Sequence, residues 1–462
     1  MDVETLVVGA GISGLSAAFF LRQQGRDVAV IDAAPRAGGN VHTLMHEGYL
    51  LEAGPNTLLD NTLAIRELVD GLGLGDAVRE ANSKAKRRYV VRDGRAIELP
   101  GSPQAFLRTR LFSLKGKLRL LAEPFIRRAE KEESVAEFVR RRLGPEFLDW
   151  AIDPFVSGVY AGDPARLSVR AATSKVYALE RDHGSLLKGA VMKAFKSRKA
   201  EVQTGPVGRM LSFERGLGQL VEALAASLFD RLHLNTPALV LRHSDGRWRV
   251  DTPQGIYSAR EVILAIPAQM VAELLEARSG DLDMFTTNGV QALREIPYPP
   301  VVSVGLGFRR EDVAHPLDGF GVLIPSREHC TTLGALFSST LFSGRAPEGH
   351  VSLTAFIGGR KHEQVGSWSD EQILDRVLAD LGPVLGFRAA PSMVHISRWP
   401  RAIPQYELGH LERIAVLDEA FGERTGLYTR ANWRGGVSVS DCIGNGKALA
   451  ERLATGSAES VR

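Results

Sequence analysis

The sequence predicts an α/β protein that contains a Rossmann-like dinucleotide-binding domain. Three consecutive features support this fold class. An apolar run at residues 6–8 leads directly into the motif Gly-x-Gly-x-x-Gly at residues 9–14, and a helical pattern follows at residues 15–24. A second apolar run at residues 28–31 then ends at Asp32. Together they form a strand–helix–strand unit of about thirty residues.

The glycine motif predicts a site for a nucleotide diphosphate. Gly9 permits a sharp turn, Gly11 leaves room for a diphosphate against the backbone, and Gly14 lets the helix pack closely on the strand. The free N–H groups at the helix start attract phosphates, and Asp32 is placed to accept hydrogen bonds from ribose hydroxyls. The predicted contacts are Gly9, Ala10, Gly11, Ile12, Ser13, Gly14, Asp32 and Ala33.

The remaining chain alternates helical and strand-like regions. Residues 60–80 predict a helix that glycines end, and residues 104–200 are mainly helical in pattern. Short strands separated by Pro, Gly and Asp turns are predicted within residues 232–266, and further strands within residues 300–357. The tail from residue 427 has the pattern strand, glycine loop, helix.

Length and composition exclude several classes of protein. The chain has 462 residues, of which 44% are hydrophobic and 24% charged, and its net charge is +3. These values exclude a disordered chain, a polytopic membrane protein and a protein recruited to nucleic acid by its overall charge. The two cysteines provide no disulfide framework, and the 11 histidines show no metal-ligand spacing, so no metal site is expected. Asp2 and Glu4 argue against a secretory signal, and we expect a cytoplasmic protein.

A second glycine turn distinguishes this dinucleotide site from a nicotinamide site. Residues 36–40 read Arg-Ala-Gly-Gly-Asn, and residues 52–56 read Glu-Ala-Gly-Pro-Asn. This extension resembles the flavin amine oxidase superfamily, whose members bind FAD, and the resemblance implies that residues 52–56 run along the flavin. The glycine loop and helix start at residues 432–443 would then direct backbone N–H groups at the flavin pyrimidine, which gains negative charge on reduction.

Within that superfamily, the sequence resembles the oxygen-dependent protoporphyrinogen oxidases over almost its whole length. The resemblance rests on residues 86–89, 152–158, 161–164, 319–325, 332–339, 356–359 and 433–437. It implies non-covalent FAD, a discontinuous Rossmann-like FAD-binding domain, a mixed-sheet α+β substrate domain and a helical membrane-facing domain. The expected division is residues 1–57, 212–276 and 404–462 for the first, 58–93 and 277–403 for the second, and 94–211 for the third.

The resemblance also implies a reaction. Members of this family remove six electrons from protoporphyrinogen IX to give protoporphyrin IX in haem biosynthesis, with molecular oxygen as acceptor and hydrogen peroxide as by-product. An apolar slot with a cation for a substrate carboxylate is sufficient, because the cofactor accepts the hydride. Two alternatives stay open, namely oxidation of coproporphyrinogen III to coproporphyrin and an FAD-binding membrane scaffold without activity.

Individual residues take their expected roles from the resemblance. Arg88 matches a position that pairs with a substrate propionate, although the charge run at residues 84–88 also fits an ordinary solvated face. The other expected substrate contacts are Gly158, Leu323, Leu336 and Phe356, and Asn56 is expected beside the flavin and the oxidised carbon. The further expected cofactor contacts are Arg36, Gly38, Gly39, Asn40, Gly54, Pro55, Asn56, Thr57, Ala238, Trp399, Asn432, Val437, Ser438 and Val439.

One departure from the family falls at the end of the last predicted strand. Family members usually have small residues there, whereas this chain has Arg430 and Ala431. From their bulk we expect crowding of the flavin at this edge of the site.

Residues 104–128 predict a basic amphipathic segment. One apolar stripe recurs at intervals of three and four residues, beside many Lys and Arg residues; its members are Leu107, Leu111, Leu114, Leu118, Leu121 and Phe125. This combination favours peripheral contact with an anionic membrane, expected on the inner face of the cell membrane, and the alternative is an ordinary helix buried on its own protein. No nucleic-acid partner is expected, and a homodimer stays open.

Overall fold

The computed structural model describes residues 1–192, 208–277, 287–422 and 425–459. Two seven-stranded β-sheets organise these residues, one largely parallel and one mixed. This arrangement confirms the prediction of an α/β fold that combines a Rossmann-like sheet with a second, mixed sheet.

The described residues contain nineteen strands. They are β1 (Asp2–Val8), β2 (Val28–Ile31), β3 (Thr43–His46), β4 (Tyr49–Glu52), β5 (Leu58–Asp60), β6 (Val78–Glu80), β7 (Tyr89–Arg92), β8 (Arg95–Glu98), β9 (Arg209–Phe213), β10 (Leu232–His233), β11 (Val240–Ser244), β12 (Arg247–Thr252), β13 (Gly255–Leu264), β14 (Val301–Arg309), β15 (Gly321–Leu323), β16 (Thr332–Leu336), β17 (His350–Gly358), β18 (Met393–Trp399) and β19 (Leu427–Thr429).

The α-helices of the same residues are of very different lengths. They are α1 (Ile12–Gln23), α2 (Leu63–Gly71), α3 (Pro103–Arg108), α4 (Leu114–Leu121), α5 (Val135–Arg142), α6 (Pro145–Phe147), α7 (Asp153–Tyr160), α8 (Val169–Ala172), α9 (Ser174–His183), α10 (Gly218–Leu228), α11 (Ala268–Glu276), α12 (Thr287–Arg294), α13 (Ser338–Leu341), α14 (Asp370–Leu385), α15 (His410–Ala420) and α16 (Val439–Glu459). Among the described helices, none combines the length and apolar character needed to cross a bilayer.

The first sheet joins strands from distant parts of the chain. Its order is β10-β2-β1-β13-β12-β11, and β19 pairs with β13. The strands β10, β2, β1, β13 and β19 run parallel, and every residue of β2 is buried, as expected for a parallel strand covered on both faces. Helices α1 and α16 pack on one face, and α11 and α12 pack on the other. The carboxyl ends of the parallel strands therefore meet at one edge.

The second sheet has the order β18-β14-β17-β16-β15-β7-β8. All of its pairs are antiparallel except β15 with β7. One face is apolar and packs on α14, for example through Val304 and Ala355 against Val377. Because side chains alternate along a strand, the neighbouring residues Ser303 and Phe356 point to the opposite face. That second face is turned toward the loop at residues 53–56, since the Ser303 hydroxyl donates to the Ala53 carbonyl.

Some boundaries differ from the sequence-based predictions. The first helix begins at Ile12 rather than at residue 15, because Gly11 takes an extended N-cap conformation. The helix predicted within residues 60–80 ends at Gly71, the first of the glycines expected to stop it, whereas residues 78–80 form β6, which pairs with β9 far along the chain. Such a distant pairing leaves no local signal. Helices α3 to α9 occupy much of the region expected to be helical, of which residues 193–200 lie outside the described residues.

The prediction of one apolar stripe along residues 104–128 is wrong. The segment contains α3, α4 and a 3₁₀ turn at Glu123–Phe125, because Ser113 caps a new helix and Pro124 opens the turn. Leu111 lies between the helices and is fully buried beside Val90. The other five residues of the predicted stripe are exposed by 56 to 87%; they are Leu107, Leu114, Leu118, Leu121 and Phe125.

Candidate active site

The glycine turn at residues 9–14 has the geometry of a diphosphate cradle. Gly9 has φ +112°, and a Cβ atom there would lie 2.7 Å from the Ala265 carbonyl oxygen. A Cβ atom on Gly14 would collide with the Gly9 carbonyl oxygen. A Cβ atom on Gly11, in contrast, would meet no atom of the described residues within 4 Å. Protein packing thus explains Gly9 and Gly14, whereas the open space at Gly11 fits a bound group.

Asp32 lies at the same strand edge and lines a cavity of about 260 Å³. Its carboxylate accepts the Ala10 N–H at 2.5 Å and the Ala34 N–H at 2.7 Å. The predicted residues Gly9, Asp32, Ala33 and Ala238 all line this cavity, together with Thr236, Pro237, Met270 and other residues. The cavity therefore fits an adenosine group whose ribose lies against Asp32.

The second glycine turn packs directly on the first. The Gly38 N–H donates to the Ala10 carbonyl at 2.7 Å, and a Cβ atom on Gly39 would lie 3.3 Å from the Gly11 Cα. Arg36 directs its guanidinium to carbonyl oxygens of its own turn, with Gly39 at 2.8 Å. In this structure Arg36 fastens the turn rather than pointing away from it.

The loop at residues 53–56 joins the two sheets. The Ala53 carbonyl accepts hydrogen bonds from the Trp399 indole and the Ser303 hydroxyl, each at 2.7 Å. A Cβ atom on Gly54 would collide with the Asn40 carbonyl oxygen and approach the Trp399 ring to 3.7 Å. The Asn56 amide donates to the Gly54 carbonyl at 2.9 Å. Asn40, Gly54, Asn56 and Trp399, predicted separately, therefore lie side by side, with Pro55 and Thr57 half-buried next to them.

The loop before α16 approaches the same place from the end of the chain. The Tyr406 hydroxyl donates to the Asn432 carbonyl at 2.7 Å and accepts the Gly436 N–H at 3.0 Å. Ser438 caps α16, since its hydroxyl accepts the Asp441 N–H at 3.0 Å. Val437 is half-buried beside this cap, and Val439 is buried as the first residue of α16. The N-terminus of a long helix, with its partial positive charge, thus lies at the site.

Burial shifts the pKa values of several titratable groups around the site toward the uncharged form. It lowers the pKa of His410, which stacks on Tyr406, to about 4. It raises the pKa of the Cys442 thiol to about 11 and that of Glu52 to about 7. Glu52 lies immediately before the loop at residues 53–56 and accepts the Leu217 N–H at 2.8 Å.

The predicted substrate residues share one face of the mixed sheet. Leu323, Gly334 and Phe356 are direct partners across β15, β16 and β17, and Leu336 lies two residues beyond Gly334 on the same face. A Cβ atom on Gly158 of α7 would collide with the Leu323 side chain. These residues form an apolar wall on the sheet face that is turned toward the loop at residues 53–56.

Arg88 is the exposed cation at the border of this wall. Its guanidinium lies 5.4 Å from the centre of the Phe320 ring, and Phe320 packs in the same cluster as Leu336. The neighbouring Arg87 is instead paired with Asp318 and approaches Glu98. Only Arg87 of these two is engaged with carboxylates of the described residues, which leaves Arg88 for an external anion.

Sequence reasoning did not identify several residues that shape the site. Thr236, Pro237 and Met270 line the cavity, and neither the connection between β10 and β11 nor helix α11 carries a motif. Ser303 and Tyr406 act through hydrogen bonds to backbone groups distant in sequence. The alternation along β14 is the one signal that places Ser303 on the site face.

Comparison with known proteins agrees with this architecture. A family model described as flavin containing amine oxidoreductase matches residues 12–454. Protoporphyrinogen oxidase 2, chloroplastic/mitochondrial, of Arabidopsis thaliana is 33% identical over 96% of this chain and 92% of its own length. Coproporphyrinogen III oxidase of Bacillus subtilis is 29% identical over 96% of both chains. A crystal structure from Exiguobacterium sp. 255-15, provisionally described as a protoporphyrinogen oxidase, has a TM-score of 0.82 and 26% identity over 98% of this chain and 99% of its own.

Proposed function

The chain belongs to the flavin containing amine oxidoreductase family, and on that basis we propose that it is an FAD-dependent porphyrinogen oxidase. The proposed substrate is protoporphyrinogen IX. Its oxidation to protoporphyrin IX removes six electrons and six protons, and three oxygen molecules accept them to give three molecules of hydrogen peroxide. This assignment follows the relatives' activities and the chemistry of the site.

The residues of the site fit non-covalent FAD. The open space beside Gly11 would receive the diphosphate, and the cavity at Asp32 and Ala238 would receive the adenosine. Residues 38–40 would extend the diphosphate cradle, and residues 54–57 and 432–439, together with Trp399, would hold the ring end. When bound, FAD supplies an acceptor for a hydride from a carbon that bridges two pyrrole rings. Catalysis then requires mainly that the chain positions this carbon and excludes water.

One observation carries the proposal for the substrate. Leu323, Leu336 and Phe356 lie on the sheet face that is turned toward residues 53–56, and an exposed Arg88 without a carboxylate partner among the described residues lies at its border. The apolar wall orients a flat, greasy ring system and keeps water from it. Arg88 pairs with a propionate and fixes which bridging carbon faces Asn56. The half-buried Asn56 amide is then beside the reacting carbon.

A second candidate is the oxidation of coproporphyrinogen III. It is supported by the 29% identity with the Bacillus subtilis enzyme over 96% of this chain. This substrate carries four propionates instead of two, so that it requires more cations at the border of the site. Rates measured side by side on the two porphyrinogens separate these candidates.

Membrane contact through residues 104–128 is part of the proposal. Leu114, Leu118 and Leu121 share one face of α4, where they are exposed by 74, 56 and 69%. Lys115 and Lys117 on the same helix supply cations for anionic headgroups. The helical domain of the proposed division would then present the exposed face of α4 to lipid.

An anaerobic stopped-flow experiment tests the oxidase assignment. Purified protein is expected to be yellow and to lose its flavin absorbance when mixed with protoporphyrinogen IX, and to regain it when oxygen is admitted. Yellow protein that keeps its absorbance with both porphyrinogens would support the scaffold alternative. Colourless protein that FAD does not reconstitute would remove the flavoenzyme assignment altogether.

A further inference from the structure

Arg430 occupies the edge of the parallel sheet where the glycine turn begins. Val8, Leu264 and Thr429 form one register row across β1, β13 and β19. Gly9 and Arg430 directly follow the two outer members of this row. They are separated by two strand spacings, about 10 Å. Ligands of open α/β sheets bind at this edge.

The Arg430 side chain is half-buried, and none of the carboxylates of the described residues raises its pKa. Its Nε atom is shielded from solvent and has no hydrogen-bond partner in the described part of the chain. Burial lowers the pKa of Arg430, Arg452 lowers it further, and no carboxylate of the described residues opposes these effects. Arg434 provides the contrast, since it is paired with Asp418 and donates to the Thr429 hydroxyl at 2.9 Å. A partly buried cation that lacks a partner is costly, and an external anion would relieve that cost.

The surroundings of Arg430 indicate where such an anion would bind. Arg430 and Ser13 both lie near the Cys442 thiol, since each of them lowers the pKa of that thiol. Ser13 lies in the first turn of α1, whose free N–H groups belong to the glycine cradle. Arg430 and the cradle thus meet on the same side of the sheet, against α1 and α16.

We propose that Arg430 binds the diphosphate of the dinucleotide cofactor as a cationic partner on the strand β19 side of the cradle. The proposal rests on the cofactor of the proposed function and gives this chain a contact at a position where the family usually has small residues. Crowding of the flavin, expected from the bulk of Arg430, makes the opposite prediction for cofactor affinity.

Equilibrium binding to the apoprotein tests the proposal. In Arg430→Met, the affinities for FAD and for ADP are expected to fall together by about tenfold or more, since both ligands carry the diphosphate. Arg430→Lys should recover much of the loss, and added salt should weaken ADP binding to the parent more than to Arg430→Met. Unchanged ADP affinity, or tighter FAD binding, would overturn the proposal.

Thermal unfolding separates this role from a structural one. Apo Arg430→Met is expected to be at least as stable as the apo parent, because an unpaired, partly buried charge is removed, while the increase in Tm on adding FAD becomes smaller. Arg434→Met is the matched control: it breaks an ion pair, so its apo form should be less stable. A destabilised apo Arg430→Met whose gain in Tm with FAD equals that of the parent would contradict the proposal.

These measurements do not depend on catalysis. If the parent binds FAD but Arg430→Met binds it equally well, the inference fails and the oxidase assignment stands. If Arg430→Met binds FAD more weakly than the parent, but porphyrinogens leave the flavin absorbance of the parent unchanged, the oxidase assignment fails and the inference stands.

Discussion

Ser440 and Leu59 exchange two hydrogen bonds across the site. The Ser440 hydroxyl donates to the Leu59 carbonyl at 2.8 Å and accepts the Leu59 N–H at 3.1 Å. This pair ties the first turn of α16 to the chain that follows Asn56 and Thr57. The two segments expected around the ring end of the cofactor are thereby held in one geometry.

Removal of the two hydrogen bonds between Ser440 and Leu59 should affect both stability and cofactor binding. Ser440→Ala is expected to lower the free energy of unfolding by about 1–2 kcal/mol, because two partly buried backbone groups of Leu59 lose their partner. It should also weaken FAD binding, measured by flavin fluorescence. Ser369→Ala, which removes the cap of α14, is the matched control: it should cost about 1 kcal/mol and leave FAD affinity unchanged. Equal FAD affinity in all three proteins would contradict a positioning role for Ser440.

Gly11 and Gly14 should respond differently to the same substitution. Gly11 has an extended conformation and open space around it, so apo Gly11→Ala should keep its stability within about 0.5 kcal/mol. Its new methyl group enters the diphosphate position, and FAD affinity should fall by about tenfold or more. In Gly14→Ala the free energy of unfolding should fall by about 3 kcal/mol, or the variant should fail to fold, because its methyl group collides with the Gly9 carbonyl oxygen. Chemical denaturation and FAD titration check both. Normal FAD binding by Gly11→Ala would exclude the proposed cradle.

Arg88 and Arg87 form a matched pair for the substrate. Arg88→Ala should raise the KM for protoporphyrinogen IX by about tenfold with little change in kcat, because a propionate loses a partner that it has in both ground and transition states. Arg87 is engaged with Asp318, so Arg87→Ala should leave KM near the parent value. Both variants should retain the flavin spectrum. The same KM in all three proteins would place Arg88 outside the site.

The raised pKa of Glu52 predicts a specific dependence of stability on pH. Burial raises its pKa from 4.5 to about 7, so that the folded protein holds a proton that the unfolded chain releases. The folded state therefore binds more protons in this range, and stability should fall as the pH rises from about 4.5 to 7.

Glu52→Gln should remove this part of the pH dependence, a difference on the order of 3 kcal/mol. Urea denaturation at several pH values measures it. Glu137→Gln is a control of opposite sign, since backbone hydrogen bonding lowers the pKa of that capping carboxylate and its contribution is lost in acid. Parallel stability curves for the parent and Glu52→Gln would show that Glu52 ionises normally.

The exposed leucines of α4 and the exposed Phe125 in the turn after it should determine membrane binding. The double variant Leu118→Ser with Phe125→Ser should reduce co-flotation with anionic vesicles at low salt, since it removes apolar surface from the proposed contact. Leu63→Ser changes a side chain that is 70% exposed elsewhere and should float like the parent. Failure of the parent itself to float with anionic vesicles would defeat the proposal.

The sequence was informative where a motif needs a particular backbone. The turn at residues 9–14 and Asp32 predicted a nucleotide site because only glycine meets those steric demands, and the geometry of Gly9 and Gly14 agrees with that reasoning. The apolar runs also predicted the parallel sheet correctly, since fully buried strands need no alternation.

Other features depend on contacts that no local pattern specifies. The spacing of Leu111 is that of an exposed stripe, but its burial against Val90 is decided by the fold. The size of the arginine side chain predicts crowding at position 430. Whether a carboxylate lies beside that side chain depends on the fold, and none of the described carboxylates affects its pKa. The Tyr406 hydroxyl likewise acquires its role from Asn432 and Gly436.

The parallel sheet combines strands from early and late parts of the chain, and this has a consequence for biosynthesis. Strands β1 and β2 emerge from the ribosome early, but β19 and the first turn of α16 follow only after residue 426. A nascent chain therefore exposes an unfinished parallel edge and an unfilled cradle for most of its translation. Chaperones that shield sheet edges should engage it during this interval, and the coenzyme should be incorporated only after β19 and α16 have emerged.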